Sequence, residues 1–293
     1  MNNFKHSIDS QFRSHTGANL FNDAALGALC FNEDTLAAIR NIGSLEREQV
    51  ALLLDYVTDK AIREFCRANQ YYSFTAKDRE KLKGIYTDLL SALREDPVSL
   101  KLVSEQHYRN LLVWLKGANP FAEQIYANDD VTVTPVPCSE YSAELQISIL
   151  HIDPAALREP LLDIGCGEQG NFVHYMRSHG VEAYGIDRFA SGDEFLAGCD
   201  WLEFTFEKES WGTIVSNLGF TNHFVHQHFR QDGNFIAYAG KYMEIITSLK
   251  INGSFHYAPA VPFIEDFLDK SMYSVEHFPT EAGISATKLT KRR

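Results

Sequence analysis

Leu161-Leu162-Asp163-Ile164-Gly165-Cys166-Gly167-Glu168-Gln169-Gly170 is the stretch that decides how the second half of this chain folds. Its first four residues, mostly apolar, make a short run of the kind that forms a buried strand. Glycines follow at 165, 167 and 170. Glycine is needed where the backbone turns sharply and where a ligand must approach the main chain without meeting a Cβ. Residues 171–179 then read as a helix ending at Gly180. A second strand, residues 183–186, leads to Asp187, 22 residues after Gly165. A carboxylate there can accept two hydrogen bonds from a ribose diol. Strand, glycine turn, helix and strand-end acid together describe a site for a nucleoside ligand.

Downstream of this stretch, short apolar strands continue to alternate with helices. A third strand is expected near 195–201 and a fourth at 213–216. A long helix follows over roughly 235–250, with Asn252-Gly253 as its stop, and a fifth strand at 254–258. Such alternation calls for a parallel sheet with helices on both faces. The last part differs. Residues 273–278 and 284–290 are two strand-like runs joined by a short loop containing Pro279 and Gly283. No helix fits between them, so they should pair antiparallel.

Upstream of residue 130 the periodicity is helical. Apolar residues recur every three or four positions over 45–66, with Ser44 as the expected N-cap. Thr75 and Asp78 have capping-box spacing before a helix whose face is Leu82, Ile85, Tyr86, Leu89, Leu90 and Leu93. A third helix is expected over 98–116, stopping before Asn119-Pro120. Its aromatic segment, 108–114, is expected in the core. Pro135 and Pro137 make 131–137 an extended connector. Ser139 is the expected cap of a helix running to about His151, ended by Asp153-Pro154. The chain therefore divides into a helical N-terminal domain, residues 1–130, and an α/β domain, residues 131–293.

With 293 residues, 45% of them apolar and 23% charged, a globular protein is expected. The net charge of −12 argues against a general affinity for nucleic acid, which needs a basic surface. The closing Lys291-Arg292-Arg293 is too short for a basic arm. Cys30, Cys66, Cys138, Cys166 and Cys199 lack any C-x-x-C pairing and suggest free thiols in a reducing compartment. No signal-type segment and no apolar run near 18 residues is seen, so a cytoplasmic protein without a membrane span is expected.

A G-x-G-x-x-G match also suits a dinucleotide. Three features point elsewhere. Asp163, two residues before Gly165, would repel a pyrophosphate and attract the ammonium of a methionine moiety. The antiparallel ending replaces a second mononucleotide half. Asp200-Trp201 follows the third strand, where a carboxylate can accept from an adenine amino group and an indole can pack on the ring; core packing is the competing reading for Trp201. Residues 161–170, Gly185-Ile186-Asp187, Asp200-Trp201 and 211–217 resemble the successive motifs of class I S-adenosylmethionine-dependent methyltransferases. The resemblance covers about residues 139–293. It implies a Rossmann-like, seven-stranded, mostly parallel sheet with an antiparallel last strand, here preceded by the α-helical N-terminal domain. It implies S-adenosylmethionine as cofactor, with Asp163, Gly165, Cys166, Gly167 and Gly170 around its methionine end. Asp187 and the adjacent Arg188 would lie at the ribose, Asp200 and Trp201 at the adenine, and Asn217 near the transferring methyl. Two features depart from the family. Gly212 stands where many members carry an acid, and residues 191–198 leave little room for the usual second helix.

Methyl transfer from a sulfonium is an in-line displacement with a neutral leaving group, so catalysis rests on holding the reacting atoms in line at roughly 3 Å. A base is needed only when the acceptor must first lose a proton. His223 is the candidate base, since histidine titrates near neutrality; a structural histidine is the competing reading. Asn217 is the second candidate catalytic residue. Tyr141, Phe220, His223 and Phe224 are the candidate substrate wall, and the N-terminal domain a candidate lid. His223 and His226 share a helical face, but nothing completes a metal set, so no metal is expected. The expected function is methyl transfer to oxygen or nitrogen of a small molecule, a peptide being a subsidiary acceptor. A dinucleotide-dependent oxidoreductase and a non-catalytic cofactor-binding scaffold are the alternatives.

Overall fold

The computed structural model describes residues 1–94, 99–127, 131–133, 136, 141–190, 193–279 and 284–293. Val98, Pro135, Pro137, Cys138, Ser139 and Gly283, to which the sequence assigned helix, connector, thiol, cap and turn roles, lie outside the described residues. The chain forms two compact units, Met1–Cys138 and Ser139–Arg293. Among the described residues no helix is long and apolar enough to cross a membrane.

The first unit is helical: α1 (Asn2–Ser14), α2 (Asp23–Ala28), α3 (Glu33–Ile39), α4 (Arg47–Ala68), α5 (Ala76–Arg94), α6 (Leu100–Ala118) and α7 (Phe121–Tyr126). Thr75 and Asp78 form the expected reciprocal cap of α5. The Thr75 hydroxyl donates to Asp78 at 2.6 Å and accepts from the Asp78 amide at 3.2 Å. The cap of α4 is Glu46, paired with Gln49, and not Ser44. Ser44 closes a 3-10 turn, where its hydroxyl donates to the Asn41 carbonyl at 2.7 Å and is unavailable to a helix starting three residues later. Leu82, Tyr86, Leu90 and Leu93 bury one face of α5, as the periodicity requires. Tyr108 and Trp114 are buried on α6, and the Trp114 indole donates to the Asp78 carbonyl at 2.9 Å.

The second unit begins with α8 (Ala143–Ile149), capped by Ser142. It continues as β1 (Leu161–Ile164), α9 (Asn171–Ser178), β2 (Ala183–Asp187), β3 (Leu196–Gly198), β4 (Trp211–Asn217), α10 (Phe220–Phe229), α11 (Phe235–Ser248), β5 (Leu249–Ala258), α12 (Pro262–Glu265), β6 (Tyr273–Pro279) and β7 (Ser285–Lys291). The strands form one Rossmann-like sheet of seven in the order β3-β2-β1-β4-β5-β7-β6. All pairs are parallel except those of β7, which runs antiparallel to both β5 and β6. This is the seven-stranded, mostly parallel sheet with a reversed last strand that the sequence led us to expect. β1 lies inside the sheet and is buried along its whole length, which is why its run is nearly all apolar.

Two boundaries differ from expectation. β3 is only three residues long, and Asp200-Trp201 fall in the turn beyond it. β5 starts at Leu249, directly after α11, so Asn252-Gly253 lie within a strand and do not end the helix. Asn252 is left-handed at φ 61°, and the pairing with β4 slips there, from Trp211 opposite Leu249 to Thr213 opposite Ser254. The dipeptide is a bulge, a feature that uses the same residues as a helix stop.

Candidate functional site

The carboxyl ends of β1, β2, β4 and β5 lie along one edge of the sheet, placing Ile164, Asp187, Asn217 and Ala258 together. The turn after β1 is built as a cradle. Gly165, Gly167 and Gly170 all have positive φ, at 84°, 80° and 60°. The amides of Gly165 and Cys166 both donate to the Ile186 carbonyl, at 2.8 and 3.2 Å, which pins the turn to β2. Gly170 caps α9 in a left-handed conformation, and a Cβ there would lie 2.7 Å from the Leu196 methyls.

The Cys166 side chain is buried in the core beneath the turn. Its sulfur fills the space that a Cβ at Gly185 would occupy, 2.7 Å away. Only the backbone of Cys166 is therefore offered to a ligand, and Gly185 is glycine because the thiol packs against it.

Asp163 is buried on β1, and its Oδ2 has no hydrogen-bond partner among the described residues. Burial, and then the charge of Asp187, push its carboxyl up to about 8. The structure thus holds a carboxyl group in the sheet with one face unanswered, a costly arrangement for a merely structural acid. Asn217, at the end of β4, adds a second unanswered group: neither its Oδ1 nor its Nδ2 has a partner among the described residues. Thr221, on the first turn of α10, carries a third buried oxygen with no partner among them.

Asp187 and Asp200 each spend one oxygen on a local turn. Asp187 Oδ1 accepts from the Phe189 amide at 2.8 Å, and Asp200 Oδ1 from the Leu202 amide at 2.8 Å. Trp201 reaches the cradle: its ring edge lies 3.4 Å from the position of a Cβ on Gly165. The same indole meets Phe220 and His223 edge to face. Trp201 is at once half-buried packing for the core and a wall beside the glycines. Arg188 places its guanidinium 5.1 Å from the Phe189 ring centroid, and its charge bears on His223 and Tyr238.

His223 is buried on α10. Burial first, then the charges of Arg188 and His226, hold its imidazole well below the usual histidine range. It is neutral at physiological pH and a weak proton acceptor. Phe220 and Phe224, expected as substrate wall, are fully buried in the main core cluster of this unit. Phe220 stacks on Tyr238 and Phe224 packs edge-on against Phe263, so both face the layer beneath α10. Tyr141 precedes α8 and is half-buried, its carbonyl accepting from Gln146 at 3.1 Å. The site thus gathers Asp163, the three glycines, Trp201 and Asn217, and leaves the two phenylalanines out. Among the described residues no cluster of three histidine, cysteine or acidic side chains could hold a metal ion.

Ser216 and Gly219 also belong to the candidate site; the sequence places Ser216 in the 211–217 motif but assigns neither residue a role. The Ser216 hydroxyl donates to the Ile164 carbonyl at 2.8 Å and accepts from the Phe220 amide at 3.0 Å, tying β4 to β1 and to the start of α10. A Cβ on Gly219 would meet the Ile164 carbonyl and Ser216 Oγ at 3.0 Å, with Gly165 Cα behind at 3.6 Å. No spacing rule in the sequence marks either contact.

No family model and no curated protein matches the sequence. Solved structures do show similarity. A methyltransferase from Archaeoglobus fulgidus that depends on S-adenosylmethionine matches at 15% identity and a TM-score of 0.36, over 52% of this chain and 95% of its own. The 1,6-didemethyltoxoflavin-N1-methyltransferase of Burkholderia thailandensis, solved with S-adenosylhomocysteine, matches at 16% identity and 0.34, over 53% and 79%. The glycopeptide N-methyltransferase MtfA matches at 13% and 0.35, over 52% and 94%.

Proposed function

We propose that this chain transfers a methyl group from S-adenosylmethionine to an oxygen or nitrogen of a small molecule. One observation carries the reading: the buried Asp163 carboxyl, unanswered at Oδ2, beneath a turn of three left-handed glycines. A pyrophosphate would oppose the charged form of that acid and keep it protonated, while an ammonium group would stabilise the carboxylate and give it the partner it lacks. Bound there, the cofactor supplies an electrophilic methyl on a sulfonium. Gly165 and Gly167 let the ligand approach the main chain without a Cβ in the way. Asp187 is assigned to the ribose hydroxyls, with Arg188 beside it, and Asp200 and Trp201 to the adenine. The Asn217 amide, with both ends unspent, orients the acceptor or the cofactor near the methyl.

Catalysis in this reading is mainly positional. The leaving group is neutral and calls for no acid. His223, held neutral, is too weak a base to deprotonate an acceptor in advance. It can take a proton only as the new bond forms, a requirement that an amine lone pair does not impose. Calorimetry with S-adenosylhomocysteine tests the proposal directly; absence of binding at high micromolar ligand would sink it. Asp187→Ala should weaken that binding by about 1–3 kcal/mol if the carboxylate accepts from the ribose. A thermal-shift comparison of S-adenosylmethionine with NAD and NADP separates the proposal from a dinucleotide enzyme, and turnover on amine and hydroxyl acceptors separates it from a silent scaffold.

A further inference from the structure

The helical unit Met1–Cys138 contains a cavity of about 410 Å³ walled by α1, α4, α5 and α6. Protein interiors are packed nearly as densely as organic crystals, and walls around a void forgo their dispersion contacts. A hole of this size falls in the range of ligand pockets, which are mostly apolar with a few placed polar groups. Its apolar lining includes Phe4, Leu54, Val57, Leu89 and Leu111.

Most polar groups in the wall answer one another. Gln11 donates to the Cys30 carbonyl at 2.8 Å and to the Tyr108 hydroxyl at 3.1 Å, and that hydroxyl pairs with His15 Nδ1 at 2.8 Å. The charges at the wall also compensate, Arg67 pairing with Glu64 at 2.9 Å. His107 on α6 is the exception. It is buried between Tyr86 and Tyr108, with ring centroids 5.1 and 5.3 Å away, and its Nδ1 has no partner among the described residues. Burial pushes the imidazole down to about 4, so the ring is neutral and offers one donor and one acceptor.

We propose that this cavity is a binding site for a neutral, predominantly apolar small molecule. The proposal is independent of the methyl-transfer reading, because every wall residue belongs to the helical unit.

The test uses the full chain, calorimetry and thermal shift, with 2-naphthol, 4-phenylphenol and 1-decanol as probes. Naphthalene is a fourth, wholly apolar probe. At least one probe should bind and raise the melting temperature. Val57→Phe, which fills the cavity, should abolish binding; Leu89→Phe replaces it should that variant fail to fold, as read by circular dichroism. No binding of any probe at about 1 mM overturns the proposal, as does binding that the filling variant leaves unaltered. S-adenosylhomocysteine binding, measured on the same samples, reports separately on the cofactor site.

Discussion

Trp201 meets the ring of His223 edge to face, with centroids 4.9 Å apart and planes at 82°. The contact joins the turn after β3 to α10, and the indole then reaches across to the glycine cradle. Trp201→Ala should therefore have two effects. Stability should fall by about 2 kcal/mol, below the cost of a fully buried tryptophan because the side chain keeps part of its surface in water. Binding of S-adenosylhomocysteine should weaken as well. Urea unfolding and calorimetry on one preparation read both.

Ser216→Ala should destabilise the chain by about 1–3 kcal/mol, since the buried Phe220 amide loses its acceptor. The Ile164 carbonyl loses a donor in the same change. Urea denaturation gives the number. Ser216→Thr, which keeps a hydroxyl, should recover part of it.

Asp163 makes stability depend on pH in a defined direction. Its folded value is raised to about 8, above the ordinary 3.8. The folded chain holds this proton across a range where the unfolded chain has lost it. Its contribution is complete below about pH 4 and declines steadily as pH rises toward about 8. Asp163→Asn should remove that slope, seen as the difference between wild-type and variant unfolding curves from pH 5 to 8. A cationic ligand that stabilises the carboxylate should also expel the proton. Calorimetric heats for S-adenosylmethionine near pH 7 should then vary with buffer ionisation enthalpy in the wild type and not in the variant.

His223 acts with the opposite sign. Burial and Arg188 depress it below its unfolded value of 6.5. Its contribution is present above pH 6.5 and is lost as pH falls, because the unfolded chain takes up a proton that the folded chain refuses. His223→Gln should make the acid limb of the stability curve between pH 6.5 and 5 less steep, the other depressed histidines, His107 among them, keeping the rest. An unchanged limb would show that this imidazole is not held neutral.

The sheet was legible in the sequence because its signals are local. Buried apolar runs, a glycine turn and a strand-end acid each announce themselves within ten residues, and the two terminal runs left no room for a helix. Bonds between distant residues left weaker traces. The Ser216 hydroxyl links positions 52 apart in sequence, and no spacing rule marks it. Phe220 and Phe224 look like a pocket wall by position, yet the phase of α10 turns both inward. Asn252-Gly253 has one appearance for two uses, a helix stop and a bulge. The cavity in the helical unit left no trace at all, because its lining residues are the same apolar ones that would fill a solid core.

The position of β7 between β5 and β6 also governs how the sheet can be assembled. β6 precedes β7 in the chain but touches the sheet only through it. It has no edge to join until its successor arrives. Until then the far side of β5 stays an open row of unpaired amides and carbonyls, the kind of template that captures strands from other molecules. The interval between forming β5 and inserting β7 is thus the period when aggregation competes with folding. Changes that slow the closing of the β6–β7 hairpin should lower the yield of folded protein more than they lower the stability of the protein that has folded.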